Sequence, residues 1–213
     1  VLRVALNGNK AVTKGKWAQV MLPSGAKGWV LKSQVRMLGE RVDIRIGDRQ
    51  EGLISAKKME DIIASAHQLL GVPYLWGGMS SKGVDCSGLV RISFLMNDIL
   101  LPRNATQQIK CGKEIEVPRP DTEGTTEAEV KEGYNAELAK DAIRNLQRGD
   151  LVFFGNTQTK RITHVGIYLG DGKIIHASHL VRVNSLIPGA ENYYENAHRL
   201  IKACRIPSYG EYF

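Results

Sequence analysis

The stretch "GVPYLWGGMSSKGVDCSGLVRISFLM", residues 71–96, sets a cysteine between a glycine-rich loop and an apolar run. Upstream, Met59, Ile62, Ile63, Ala66, Leu69 and Leu70 recur at helical spacing, which predicts a helix from about Lys57 to Leu70. Gly71, with Pro73 two residues on, ends it. Past the cysteine, Leu89, Val90, Ile92, Phe94, Leu95 and Met96 spread around the whole circumference, so this second helix is expected to be central and covered on nearly all sides. Asp85 then serves as N-cap and Cys86 falls in the first turn. There the unpaired backbone N–H groups and the positive helix end favour a thiolate over a thiol. The same N–H groups suit the oxyanion that forms when a thiolate attacks a carbonyl. Cys111 and Cys204 lack that setting and read as packing. Three widely spaced cysteines suggest neither a disulfide framework nor a Cys-rich zinc site.

A thiol needs a base, and five histidines are available. His67 and His198 read as surface or packing residues, whereas His164, His176 and His179 cluster on "THVGIYLGDGKIIHASH". A two-residue Asp171-Gly172 turn would set His164 opposite His179 and send His164 and His176 to opposite faces. A three-residue loop, Gly170 to Gly172, would put Gly166 opposite His176 and make His164 and His176 diagonal neighbours on one face. That face should meet the start of the Cys86 helix, with Val165 and Ile167 packing on the other. Strand arithmetic leaves both registers open. Zinc chemistry fits poorly, because His176-Ala-Ser-His179 lacks the helical His-x-x-x-His spacing and its glutamate.

The 213 residues carry a formal net charge of +7. Residues 112–146 hold nine acidic and five basic residues, leaving 24 basic against 13 acidic elsewhere. Such a surface attracts polyanions. No finger spacing, RNP-like stretch or Arg-rich arm points to nucleic acid, so an anionic polymer or acidic peptide is the expected partner. No run is long and apolar enough for a transmembrane segment, and no export signal precedes the strand-like opening "VLRVALNGNKAV", which reads as a trimmed start.

Residues 1–38 alternate and turn like a small antiparallel barrel, with Trp17 and Trp29 expected in its core or, failing that, on a binding face. Residues 39–57 read as a linker, and 58–213 as the large domain. Within it, 112–146 reads as a surface excursion, helical from about Ala136, whose glutamates form a solvated face rather than a catalytic dyad. Strands and a hairpin follow in "GDLVFFG", "ITHVGIYLGDGKIIHAS" and "RLIKACRIP". Helices first, then an antiparallel sheet, make the fold class α+β.

The pieces "GVPYLWGG", "GVDCSGLV", "LPRNATQQ", "RGDLVFFG" and "HVGIYLGDGKIIHAS" together resemble the NlpC/P60 family of papain-like bacterial cell-wall endopeptidases, over roughly residues 58–207. "GKWAQVMLPSGAKGWV" is similar to the second half of a bacterial SH3 domain, a frequent N-terminal companion, without that domain's expected beginning. The resemblance implies a thiol hydrolase cutting the bond between γ-D-glutamate and an L-diamino acid in peptidoglycan stem peptides. It implies Cys86 as nucleophile, His164 as base and His176 as the residue orienting it, with no metal or cofactor. It gives Tyr74 to the oxyanion or substrate carbonyl, and Asp85 and Ser87 to the free amine of a stem's L-alanine, which confines the enzyme to released muropeptides. It places the protein at the cell envelope, periplasmic or extracellular, with cytoplasmic recycling of wall fragments as the alternative. Two other functions share these residues: a papain-fold amidase or acyltransferase, and a non-catalytic wall-binding protein.

Overall fold

The computed structural model describes residues 3, 4, 6, 7, 10–21, 26–34, 42, 43, 54–122, 124–206, 208 and 209. The chain forms two compact units, Val1–Gly39 and Glu40–Phe213. In the small unit the strand Trp17–Met21 pairs antiparallel with Arg3–Val4, Thr13–Lys14 and Lys27–Leu31. Among the described residues this sheet stays open rather than closing into a barrel. Ala18 and Val20 are buried, while Trp17 and Trp29 are 40% and 44% exposed, so the tryptophans do not form the core expected of them. Register explains their shared face: Trp17 opposes Leu31 and Gln19 opposes Trp29, two residues along.

In the large unit α1 (Ala56–His67) starts on Ser55, whose Oγ accepts from the Lys58 N–H, and buries Met59, Ile62, Ile63 and Ala66. Most of the linker 39–57 lies outside the described residues, but Ile54 is fully buried in the same core. Helix α2 (Cys86–Leu95) is sunk among these residues with Leu89, Val90 and Phe94 fully buried, but Ile92 and Leu95 are half-buried and Met96 is exposed, so its far end is less covered than the all-round apolar pattern led one to expect. Each such side chain contributes about 1.5–3 kcal/mol relative to exposure. Asn97 ties the two helices by donating to Ser65 Oγ at 3.0 Å.

The remaining framework is a six-stranded antiparallel sheet. Its strands are β1 (Lys113–Ile115), β2 (Leu151–Gly155), β3 (Ile162–Gly170), β4 (Lys173–Ser178), β5 (Leu180–Ser185) and β6 (Leu200–Arg205), in the order β1-β6-β2-β3-β4-β5. The segment 112–146 is therefore not all excursion, because β1 forms the sheet edge on β6. Beyond it come a short α3 (Glu127–Gly133), held by a Thr126/Glu129 capping box, and α4 (Ala136–Ile143), which buries Ala139 and Ala142. Among the described residues no helix is long and apolar enough to cross a membrane.

The β3–β4 hairpin combines the two expected turns. Asp171 and Gly172 both have positive φ, 50° and 70°, and form a two-residue tip closing Gly170 on Lys173. The register then slips between Tyr168 and Gly170, with Gly170 at φ 87°, so that Ile167 opposes Ile175. That bulge restores the pairing of a three-residue loop and sets Gly166 beside His176. A Cβ on Gly166 would stand 3.1 Å from that of His176. Val165 and Ile167 pack in one core with Leu89 and Phe94 of α2 rather than away from it. Side chains alternate along a strand, so His164 takes the other face, against Phe154 and Tyr194.

Gly88 shows how closely the loop before α2 is folded onto the helix. A Cβ there would lie 2.3 Å from the Gly78 carbonyl oxygen and 2.9 Å from Asp85 Oδ1. Gly88→Ala is expected to lower stability by about 1–3 kcal/mol and to slow alkylation of Cys86, because the loop must move off the helix start. Unchanged thermal unfolding together with an unchanged alkylation rate would contradict this.

Candidate active site

Asp85 caps α2, its Oδ1 accepting the Gly88 N–H at 2.7 Å. The same carboxylate accepts the Gly77 N–H at 2.9 Å on Oδ2, so it fixes both the glycine loop and the helix start. Arg103, unassigned in the sequence reading, binds it in bidentate fashion. Arg103 also donates to Ser87 Oγ at 2.9 Å, and Ser87 donates to Asp85 Oδ1. Burial works to raise the Asp85 pKa, but Arg103 and the two N–H groups outweigh it and hold the carboxyl below its usual value. Asp85 and Ser87, expected to receive a substrate amine, are here taken up by Arg103 and the backbone. An arriving ammonium would meet a carboxylate that already has five donors.

Cys86 is 8% exposed at the first position of α2. Burial pushes its thiol pKa up, while N–H groups of Val165, Ser87 and Cys86 itself pull the other way. Val165 directly follows His164, so the sulfur meets β3 at the histidine's own peptide. Tyr74 hangs on a loop between two backbone ladders: its N–H donates to the His179 carbonyl at 2.8 Å and it bridges to Val84. Its phenol pKa is raised by burial first and then by the negative charges of Cys86 and Asp85, which sets the ring near the thiol.

His164 Nε2 lies 2.8 Å from His176 Nδ1, and His176 Nε2 lies 2.9 Å from Asn184 Oδ1 on β5. Asn184 Nδ2 in turn donates to the Asn192 carbonyl at 2.6 Å. Tyr194 packs on both rings, with centroids 5.9 Å from His164 and 4.5 Å from His176, and the charge of Cys86 is among the influences raising its phenol pKa after burial. His179 stands exposed at φ 62°, its carbonyl engaged with Tyr74. Burial drives the His164 pKa down to about 3, helped by His176. Burial likewise drives His176 down to about 4, against the Asn184 hydrogen bond and with the charge of Arg182 adding to the fall.

The other candidates lie elsewhere. Cys204 and Cys111 are fully buried, their sulfurs directed at the Gln108 and Gln107 carbonyls. His67 Nδ1 lies 2.9 Å from the carbonyl of Ile63, one turn back on α1, and His198 Nδ1 lies 3.1 Å from that of Glu195. Glu127 accepts both the N–H and hydroxyl of Thr157. Arg103 lay within the quoted "LPRNATQQ", the one signal that pointed to it. For Asn184 and Tyr194 the sequence carried no local signal, since each reaches the histidines across strands.

Helices packed on an antiparallel sheet, an α+β frame, are the class these features define. The model of the NlpC/P60 family matches residues 71–200, and the chain belongs to that family. It is similar to a gamma-D-glutamyl-L-lysine dipeptidyl-peptidase of Bacillus cereus, with 29% identity over 80% of this chain and 40% of the relative. It is also similar to the bifunctional muramidase/DL-endopeptidase CwlT of Bacillus subtilis, with 37% identity over 56% of this chain and 29% of the relative. The crystal structure of an NlpC/P60 family protein from Bacillus cereus superposes with a TM-score of 0.60 at 27% identity, covering 92% of this chain and 53% of that one. The chain thus spans less than half the length of these two curated relatives.

Both imidazoles take up protons less readily folded than unfolded. Between the ordinary histidine value of 6.5 and about 4, the unfolded chain therefore binds more protons at these positions. Stability is present in full above pH 6.5 and is expected to fall as the pH drops towards 4. His176→Asn should flatten that fall. Urea midpoints measured from pH 8 to 4 check it, and parallel profiles for the two proteins would count against it.

Proposed function

We propose that this protein is a cysteine peptidase that hydrolyses the γ-D-glutamyl-L-diamino acid bond of peptidoglycan stem peptides. The observation that carries the reading is the meeting of the α2 N-terminus, bearing Cys86, with the β3 peptide between His164 and Val165. Relatives named for γ-D-glutamyl-L-lysine cleavage support the choice of bond. Because His164 Nε2 is engaged by His176, Nδ1 is the nitrogen left to take the Cys86 proton. Sγ attacks the γ-carbonyl carbon, and the oxyanion falls to N–H groups of the helix start and to the Tyr74 hydroxyl. His164 then protonates the leaving amine, and a water deprotonated by His164 releases the acid from the thioacyl enzyme. No step calls on a metal or cofactor.

Burial opposes either charge alone, raising the Cys86 pKa and lowering that of His164. The pair ionises together, each new charge stabilising the other. In His164→Gln the thiol has no such partner, so its iodoacetamide reaction should retreat to alkaline pH, while the parent protein reacts near neutrality. Identical pH–alkylation profiles would remove His164 from the mechanism.

The small unit reads as a bacterial SH3-like domain offering Trp17 and Trp29 to the wall, and the expected setting is the cell envelope. The substrate class is tested with defined muropeptides. Free L-Ala-γ-D-Glu-diaminopimelate and the lysine analogue should be cut at the γ-glutamyl bond, and Cys86→Ala should abolish cleavage while Cys111→Ala and Cys204→Ala keep most of it. Cleavage at another amide would favour the amidase reading. N-acetylation of the L-alanine separates amine recognition from its absence: a 30-fold to 1000-fold loss in kcat/KM, roughly 2–4 kcal/mol, is expected if Asp85 and Ser87 admit the ammonium. Equal rates would assign those groups to Arg103 alone and admit intact wall as substrate.

A further inference from the structure

We propose that Asn184 is a positioning residue that fixes which nitrogen of His164 carries the proton, acting through His176. The inference deepens the peptidase reading and rests on it. Its starting point is a backbone carbonyl, which can only accept. The Asn192 carbonyl is pinned at the end of β5 by the Ser185 N–H at 3.0 Å, and it takes Asn184 Nδ2 at 2.6 Å. The Asn184 amide nitrogen therefore faces Asn192, and its oxygen faces His176 Nε2 at 2.9 Å. An amide oxygen also only accepts, so His176 holds its hydrogen on Nε2. A neutral ring with hydrogen there has a lone pair on Nδ1. The 2.8 Å contact from His176 Nδ1 to His164 Nε2 then needs its proton from His164. His164 is left with a bare Nδ1, the form a base for Cys86 requires.

Three hydrogen bonds thus donate one way, from the base toward a fixed carbonyl. Asn184 is buried at 6% exposure, so no solvent replaces it freely. Without its oxygen, His176 is free to carry hydrogen on Nδ1. His164 Nε2 would then have to accept, and Nδ1 would hold a hydrogen in place of the lone pair that the proposed base needs. A base with the wrong tautomer cannot take the proton. The groups around His176 that bear on its titration are Arg182 across the strand pair, His164, and Tyr194 edge-on to the ring. With Arg182 close by, a neutral amide supplies the acceptor without adding a negative charge that would hold His176 as an imidazolium.

The test joins kinetics with a measurement that needs no substrate. Asn184→Ala should lower kcat roughly 10-fold to 100-fold with KM little changed, and Asn184→Asp should recover most of the rate only at pH high enough for His176 to shed the extra proton that the carboxylate favours. The aspartate should also move the acid limb of the pH–rate profile upward, which a merely structural role would not do. In protein carrying ¹⁵N-histidine, nitrogen spectra above pH 7 should show His176 with hydrogen on Nε2 and His164 with a bare Nδ1, and Asn184→Ala should give His164 a mixture. Cys86 alkylation near neutrality should slow in that variant by a similar factor. If stem peptides prove not to be substrates, the spectra and alkylation still decide the tautomer assignment independently. Parent protein with hydrogen on His176 Nδ1 overturns the proposal even if no variant folds. So does an alanine variant with unaltered tautomers and alkylation.

Discussion

The carboxylate of Asp85 is where the architecture of the site is gathered. It accepts from Gly88 to start α2, from Gly77 to fold back the glycine loop, from Ser87, and twice from Arg103. Cys86 is covalently next to it, so the sulfur's position is set by a buried charge with five donors rather than by its own packing. Removing one partner of such a pair leaves the other charged and unsatisfied, at a cost of about 3–5 kcal/mol. Gly88 serves the same junction sterically, because only a residue without a side chain lets the Gly78 carbonyl approach. Loop, helix start and Arg103 form one unit that cannot be altered piecemeal.

The second constraint is the slip in the β3–β4 hairpin. A two-residue tip alone would have sent His176 to the face opposite His164. The bulge before Gly170 restores their common face at the expense of one irregular ladder position. The slip depends on Gly170 at φ 87°, where a side chain would be strained though nothing crowds it. The glycines at 170 and 172 made a bulged turn readable from sequence. They could not say that tip and bulge would be separate features.

Legibility followed the range of the interaction. The helix start at Cys86, the cap at Asp85 and the burial of the first turns of α2 are local or periodic, and residues 85–94 stated them, whereas Met96 is exposed against its pattern. The histidine pair needed one register. Asn184 needed two, because it becomes visible only after β3 is set on β4 and β4 on β5. Tyr194 needed also the return of residues 192–194 along β5, which no pattern in "ENYYENAH" announces. Arg103 was in view but unread, since sequence does not show that its fork reaches back 18 residues to Asp85. Trp17 and Trp29 misled for a different reason: a small open sheet has one covered face, and Ala18 and Val20 fill it.

Burial and charge pull against each other throughout this site, and the arrangement separates them in space. The permanent charges, Asp85 and Arg103, lie on the loop side of Cys86 and cancel one another by a direct pair. On the strand side Arg182 stands across from His176, while the His164–His176–Asn184 line itself bonds through neutral donors and acceptors. Burial depresses both imidazole pKa values, so the resting line is uncharged, and in the proposed mechanism a proton taken from Cys86 creates charge only as the reaction begins. In that mechanism the new imidazolium would be stabilised by partners already in place, His176 Nδ1 accepting from it and Asn184 holding His176 still. In the proposed peptidase a neutral relay anchored on a backbone carbonyl would therefore do for the base what a buried carboxylate does in the serine proteases, without placing a second negative charge beside the thiolate.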